Sequence, residues 1–223
     1  MKSSNQINFY DFGEIEIVIG ESAHSFPTHI HQSMCVGLIT HGSVEFICEN
    51  HKDTLTKGDI YVIPPFTPHS IAAVNGRKYV YIVLCLRNVI NGIYRCDNFY
   101  QNNIYEKDFI ALAKSFIQSR LEYSFDLQAL SEHVGISKFH LIREFKKSAG
   151  VSPYQFYLSE KVKKIRQGLV LKQSLSDLTF ALGFSDQSHL CNTFRKFMGV
   201  TPLQFNYTYK ICHSSAGENV AKM

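Results

Sequence analysis

The segment GVSPYQF at 150–156 returns as GVTPLQF at 199–205, and the likeness extends backwards from both. LQALSEHVGISKFHLIREFKKSAGVSPYQF (127–156) aligns with LSDLTFALGFSDQSHLCNTFRKFMGVTPLQF (175–205), the second being one residue longer. A segment spelled twice at a fixed offset implies a duplicated structural unit. Leu127, Leu130, Val134, Gly135, Ser137, Leu141, Phe145 and Gly150 match Leu175, Leu178, Leu182, Gly183, Ser185, Leu190, Phe194 and Gly199. The offset is 48 through the serine and 49 beyond it, which places the extra residue near the start of the second helix of the later block.

Each block spells two helices around a tight turn. Leu127, Leu130 and Val134 form one apolar stripe, and Gly135 stands where a left-handed residue ends a helix. Ser137 and Ser185 are expected to cap the helices that follow. Leu141 with Phe145, and Leu190 with Phe194 and Phe197, mark their buried sides. This is a helix-turn-helix, written twice. In the opening segments Gly150 and Gly199 end the second helices, Ser152 and Thr201 cap the next ones, and Pro153 and Pro202 occupy the permitted first turn. The helix from Pro153 to Leu169 would join the two units over roughly 25 Å.

Charge separates the chain into unlike halves. Residues 1–105 hold 7 Lys/Arg against 9 Asp/Glu, while 138–196 hold 11 against 4. A basic half beside a slightly acidic one points to a polyanion as partner for the second half alone. The six cysteines include no C-x-x-C pair, which argues against a zinc ribbon or a disulfide framework and for a reducing cytoplasm. No stretch has the apolar length of a membrane span and no leader pattern opens the chain, so a cytoplasmic protein is expected.

The first ninety residues read as strands: IEIVI (15–19), VGLI (36–39), VEFIC (44–48), IYVI (60–63), HSIAAV (69–74) and YVYIVLCL (79–86). Turns are expected at HGS (41–43), ENHKD (49–53) and VNGRK (74–78). Short strands at this spacing favour an antiparallel barrel or sandwich, with the last run central because both its faces are apolar. Ile110, Ala113, Phe116, Ile117 and Leu121 then open a helical period. The expected organisation is an all-β domain at 1–88, a linker at 89–105 and an all-α domain at 106–206. Its helix-turn-helix units span 127–148 and 175–198, and a disordered tail occupies 207–223.

The G-[IF]-S turns, the F-[RK]-K segments and the two GV[ST]P segments resemble the C-terminal DNA-binding domain of the AraC/XylS family of bacterial transcription regulators. The resemblance implies that the second helix of each unit enters the major groove of double-stranded DNA. Lys138, Phe139, Ile142 and Arg143 on the first reading helix, and Gln187, Ser188, Cys191 and Asn192 on the second, are the base-contact candidates. Arg143 suits guanine, while Gln187 and Asn192 suit adenine. Lys146, Lys147, Arg195 and Lys196 are the phosphate candidates. Family members often place a polar residue at the position of Ile142 and arginine at that of Asn192; these departures imply thymine-methyl contacts or an A·T-richer site.

FPTHIHQSMCVGLITHGSVEF followed by LTKGDIYVIPPFTPHSI resembles the cupin barrel that precedes many such domains. His29 and His31, two apart on a strand, share a face, and His69 follows Pro68. The three histidines are candidates for an effector pocket, for a divalent metal site, or for plain structure. Metal-binding cupins usually add a glutamate after the H-x-H pair, where this chain has Gln32, Ser33, Met34 and Cys35. The expectation is a regulator without catalysis that requires no cofactor, responds to a small-molecule effector, and meets RNA polymerase if it activates. The rival is a metal-dependent cupin enzyme with a helical appendage. Too few residues separate the halves for a pair of dimerisation helices, so a monomer, or a dimer through the barrel, is expected.

Overall fold

The computed structural model describes residues 5–49, 51–87 and 108–212. Nine strands come first: β1 (Gln6–Asp11), β2 (Ile15–Ser22), β3 (Phe26–His29), β4 (Met34–His41), β5 (Ser43–Cys48), β6 (His51–Thr56), β7 (Ile60–Ile63), β8 (His69–Ala73) and β9 (Tyr79–Leu86). Seven helices follow: α1 (Asp108–Gln118), α2 (Leu127–Val134), α3 (Lys138–Ala149), α4 (Pro153–Val170), α5 (Leu175–Ala181), α6 (Gln187–Met198) and α7 (Pro202–Thr208). A short strand β10 (Tyr209–Ile211) completes the described chain.

The strands form two sheets, one ordered β10-β1-β2-β9-β4-β7 and the other β3-β8-β5-β6. β9 lies between β2 and β4, the central place its two-sided apolar pattern requires. Val44 and Phe46 of one sheet meet Ile39, Tyr61, Tyr79 and Tyr81 of the other in a single core, with the Phe46 and Tyr61 rings 5.0 Å apart. Gly20 and Gly37 make room for this filling. A Cβ at Gly20 would come within 2.3 Å of Tyr81, and one at Gly37 within 2.0 Å of Tyr61.

Among the first nine strands, three were not expected. β1 alternates correctly, with Ile7 and Phe9 buried, yet these two face the helical core instead of the barrel interior. β3 contains Pro27 and holds a sheet edge, where a missing N–H costs least. β6 is exposed along nearly all its length and has no apolar period; it occupies part of the expected 49–53 turn, which therefore closes by His51.

The helices pack on one core built from Ile110, Leu130, Leu141, Phe145, Ile165, Leu190 and Phe194. α4 has 18 residues and so spans about 27 Å. Ser152 and Thr201 each form a capping box with the glutamine three residues on, Gln155 and Gln204. The linker expected at 89–105 lies outside the described residues. The disordered tail needs correction at its start. Tyr207 and Thr208 finish α7, and Tyr209–Ile211 pair in parallel with Phe9–Asp11. The ring of Tyr209 lies 5.1 Å from that of Phe205 and its hydroxyl donates to Asp11, which anchors a segment with no apolar period of its own. No described helix is long and apolar enough to cross a membrane.

Candidate nucleic-acid interface and barrel site

The reading helices are fixed at their N-termini by side-chain caps. Ser137 Oγ accepts from the His140 N–H at the start of α3. At the start of α6 the expected cap, Ser185, is replaced by Asp186, whose Oδ1 accepts from the His189 N–H at 2.8 Å. Ser185 instead donates its hydroxyl to Asp186 at 3.0 Å. The caps are thus 49 apart, and the inserted residue falls in the turn. A carboxylate also complements the positive end of the helix, and the His189 N–H and Ser185 hydroxyl hold it below the usual carboxylate range.

On α3 the candidates Lys138, Phe139, Ile142, Arg143, Lys146 and Lys147 are all exposed, opposite buried Leu141 and Phe145. Phe139 is 86% exposed, an aromatic ring left in solvent. Arg143 lies 3.2 Å from His140 Nδ1 and 3.3 Å from Glu144 Oε1. Both contacts are solvent-exposed and therefore weak. On α6 the residues Gln187, Ser188, Asn192, Arg195 and Lys196 are exposed.

Cys191 departs from its expected place. It is half-buried against the helical core, and burial pushes its thiol up. Its position beside Leu190 and three before Phe194 puts it at the margin of the buried stripe. His189 is exposed on the same helix and was missed, although its spacing of three before Asn192 places both on one face. Lys146, Lys147, Arg195 and Lys196 occupy the last turns of their helices, where cations complement the negative helix end whether or not a phosphate is near.

In the barrel, His29 of β3 is the register partner of His69 of β8, and His31 follows β3. Ring centroids are 4.3 Å apart for His29–His69, 4.6 Å for His31–His69 and 5.9 Å for His29–His31. Each Nδ1 lies 2.8 Å from a backbone carbonyl two residues away, that of Pro27, Ser33 or Thr67. Burial lowers the basicity of all three, and His31 falls to about 4 with the help of neighbouring His29. The trio is therefore neutral near pH 7. Cys35 Sγ lies 3.7 Å from His31 Nε2 and 3.0 Å from the sulfur of Cys85, its register partner on β9. The hydrogen bond with Cys85, followed by burial, pushes the Cys35 thiol far up.

Comparison with known proteins gives two family matches. Residues 13–89 match the AraC-like ligand binding domain and residues 130–207 match the helix-turn-helix domain. The chain belongs to the AraC family of transcription regulators. It is 21% identical over 222 aligned residues to the uncharacterized HTH-type transcriptional regulator YbfI of Bacillus subtilis, covering 74% of this chain and 81% of that one. The C-terminal domain of AraT, a response regulator from Geobacillus stearothermophilus, is similar at 20% identity and a TM-score of 0.45, covering 52% of this chain and 96% of that one. KdgF from a Halomonas species matches at 21% identity and a TM-score of 0.34, covering 39% and 82%. The two family matches do not favour the rival reading as a cupin enzyme.

In this AraC-family regulator the C-terminal ends of both reading helices rest on the barrel. Gly150 closes α3 in the left-handed conformation (φ 71°), and a Cβ there would fall 2.0 Å from the Pro68 side chain. Gly199 closes α6 against Ile7 and Phe26, its carbonyl accepting from Asn5 Nδ2 at 2.7 Å. His24 Nε2 lies 2.8 Å from the Lys196 carbonyl. A second seam runs under α4, where Glu16, 3% exposed, receives both Arg166 and Arg87, and Arg87 also grips Asp11. Among the described residues, a surface cleft of about 220 Å³ lies beside α1 and α2 and one of about 300 Å³ between β1 and α7; neither is lined by His29, His31 or His69.

Proposed function

We propose that this regulator is a cytoplasmic, non-catalytic, sequence-specific DNA binder whose barrel senses an effector and alters how α3 and α6 are presented. The observation that carries this is the seating of both reading helices on the barrel, through Gly150 on Pro68 and Gly199 on Phe26. Pro68 immediately precedes His69, and Phe26 shares β3 with His29. A ligand that binds one seating more tightly than another shifts the balance between them. Arg143, Lys138, Phe139 and Ile142 read bases from α3, and Gln187, Ser188, Asn192 and the edge of Cys191 read them from α6. Lys146, Lys147, Arg195 and Lys196 hold phosphates. RNA polymerase is the further partner if the protein activates.

The protein acts as a monomer or as a dimer through the barrel. Ile19, Ile82, Leu38 and Ile60 form one cross-strand row on the six-stranded sheet, with Ile60 67% exposed, and offer the surface a second copy would cover. Light scattering of wild type against Ile60→Lys distinguishes the two states.

Binding to captured genomic fragments at graded salt tests the function itself. About 6–8 phosphate contacts predict that log affinity falls against log salt with a slope of about −5 to −7. A flat dependence overturns the reading.

A further inference from the structure

We propose that Cys35 and Cys85 form a reversible modification site, a thiol pair that closes to a disulfide when a peroxide reaches the barrel. Its effect on DNA rests on the barrel being the sensing half, and it gives that half an input other than a held ligand.

Register brings the two sulfurs together. Cys35 of β4 and Cys85 of β9 stand directly opposite each other on antiparallel strands, 50 residues apart in the chain. Opposed residues in such a ladder have Cα atoms about 4.5–5.5 Å apart, inside the roughly 4.4–6.8 Å that a disulfide spans. The sulfurs already lie 3.0 Å from one another. Bond formation therefore needs a small side-chain rotation and no change of strand pairing.

Exposure orders the chemistry. Cys35 is 3% exposed, whereas Cys85 is half-buried and is the sulfur that a small oxidant meets first. The Cys85 thiol gives its proton to solvent, and the thiolate attacks one oxygen of hydrogen peroxide. A sulfur–oxygen bond forms, the oxygen–oxygen bond breaks, and the departing hydroxide takes up a proton to become water. The Cys35 sulfur then attacks the sulfenic sulfur: the sulfur–sulfur bond forms, the sulfur–oxygen bond breaks, and a second water leaves with the Cys35 proton. The two thiols have lost two electrons and the peroxide has gained them. Reduced small thiols reverse the bond by exchange. Under reducing conditions the pair therefore rests open and closes transiently, as sensing disulfides do.

The pair also lies between two seats of the helical half. Glu16, Cys85 and Cys35 make one cross-strand row over β2, β9 and β4, and Glu16 is the carboxylate that Arg166 of α4 holds. On the other flank, Cys35 Sγ lies 3.7 Å from His31 Nε2. The His31 carbonyl accepts from the Phe66 N–H at 2.8 Å, two residues before the Pro68 on which Gly150 rests. Closing the disulfide removes the thiol hydrogen beside His31 and moves the sulfur in register with Glu16. It thereby acts on two of the places where the helices are attached to the barrel.

The test is peroxide treatment of reduced, full-length protein, followed by alkylation, digestion and mass spectrometry. The expected result is a pair of peptides joined through Cys35 and Cys85, lighter by two hydrogens than the reduced pair and separated again by dithiothreitol. Cys48→Ser should leave that link intact, and Cys85→Ser should abolish it. Cys85 is only half-buried, so its variant keeps the test valid if Cys35→Ser does not fold. Duplex binding is measured on the same samples. Reduced and oxidised wild type should differ in affinity by about fivefold or more, and Cys85→Ser should show no such difference. Failure to form the link overturns the site, and a link that leaves affinity unchanged overturns its role as an input. Salt-dependent DNA binding by the reduced protein keeps the readings apart: its absence sinks the DNA-binding function, while the joined peptides still decide the site.

Discussion

Arg166 on the joining helix α4 donates to Glu16 on β2 at 2.5 Å, across the seam between the two halves. Arg87 reaches the same carboxylate oxygen at 2.6 Å from the end of β9. The helix that lies between the two helix-turn-helix units is therefore bonded to the barrel by a shared, nearly buried acid. Removing the acid leaves Arg166 beside Arg87 without the carboxylate they share, and only Arg87 keeps a counterion, Asp11. Glu16→Gln is expected to cost about 3 kcal/mol or more in chemical denaturation, and Arg166→Met less, since Arg87 remains on Glu16. Equal losses would mean that Arg87 gives no support.

Asp11 extends this network and supplies its pH dependence. Burial alone would raise its carboxyl, but the Tyr209 hydroxyl, the Gly13 N–H and Arg87 outweigh burial and hold it below its ordinary 3.8. A depressed carboxyl stabilises the fold above its unfolded pKa, and that share is lost as pH falls through the folded value. Wild type should therefore lose more stability than Asp11→Asn on acidification below about pH 4. Melts at stepped pH give the comparison.

Lys161 behaves in the opposite range. Its residue is 3% exposed, with Nζ 4.6 Å from the Tyr157 ring centre and 4.4 Å from that of Phe184, and burial lowers its pKa to about 8. Between that value and its ordinary 10.5 the unfolded chain holds more protons, so stability rises with pH. Relative to Lys161→Met, wild type should gain roughly 1–2 kcal/mol between about pH 8 and pH 10. A constant difference would mean that the amine is not desolvated.

The two helix-ending glycines of the first unit separate backbone strain from contact. Gly135 (φ 72°) has open space where a Cβ would go, so Gly135→Ala should cost only the left-handed penalty of about 1–2 kcal/mol. Gly150→Ala adds the collision with Pro68 and should cost more, and it should change DNA affinity as well as stability. Equal costs would show that the barrel yields freely at this point.

For DNA itself, Lys147→Ala should weaken binding to all sequences alike and reduce the salt slope by about one. Arg143→Ala should cost about 1–3 kcal/mol at one base position and blunt discrimination there. Selection from a random duplex pool for each variant reads both effects.

The repeat made the helical half legible, because caps, stops and stripes are local properties that each helix carries in its own letters. Gly150, Ser152 and Pro153 announce a boundary without reference to anything distant. The inserted residue was also visible, but which oxygen capped α6 depended on where the turn absorbed it, and Asp186 displaced Ser185. β1, β3 and β6 were hidden for a different reason. Their pairing is set by partners far along the chain, and Pro27 and the polar run of β6 carry no period of their own. The histidine trio was readable by type and spacing. Its closing into one cluster was not, because that depends on the pairing of β3 with β8 that only the folded backbone fixes.

Tyr209–Ile211 run alongside Phe9–Asp11, so the helical half supplies the last strand of a sheet that the first half begins. A chimera that joined these helices to another family member's barrel would have to recreate that strand pairing, or leave an edge open to other chains. Exchange of halves between relatives, the usual expectation for a sensor linked to a reader, is here constrained by a shared piece of backbone.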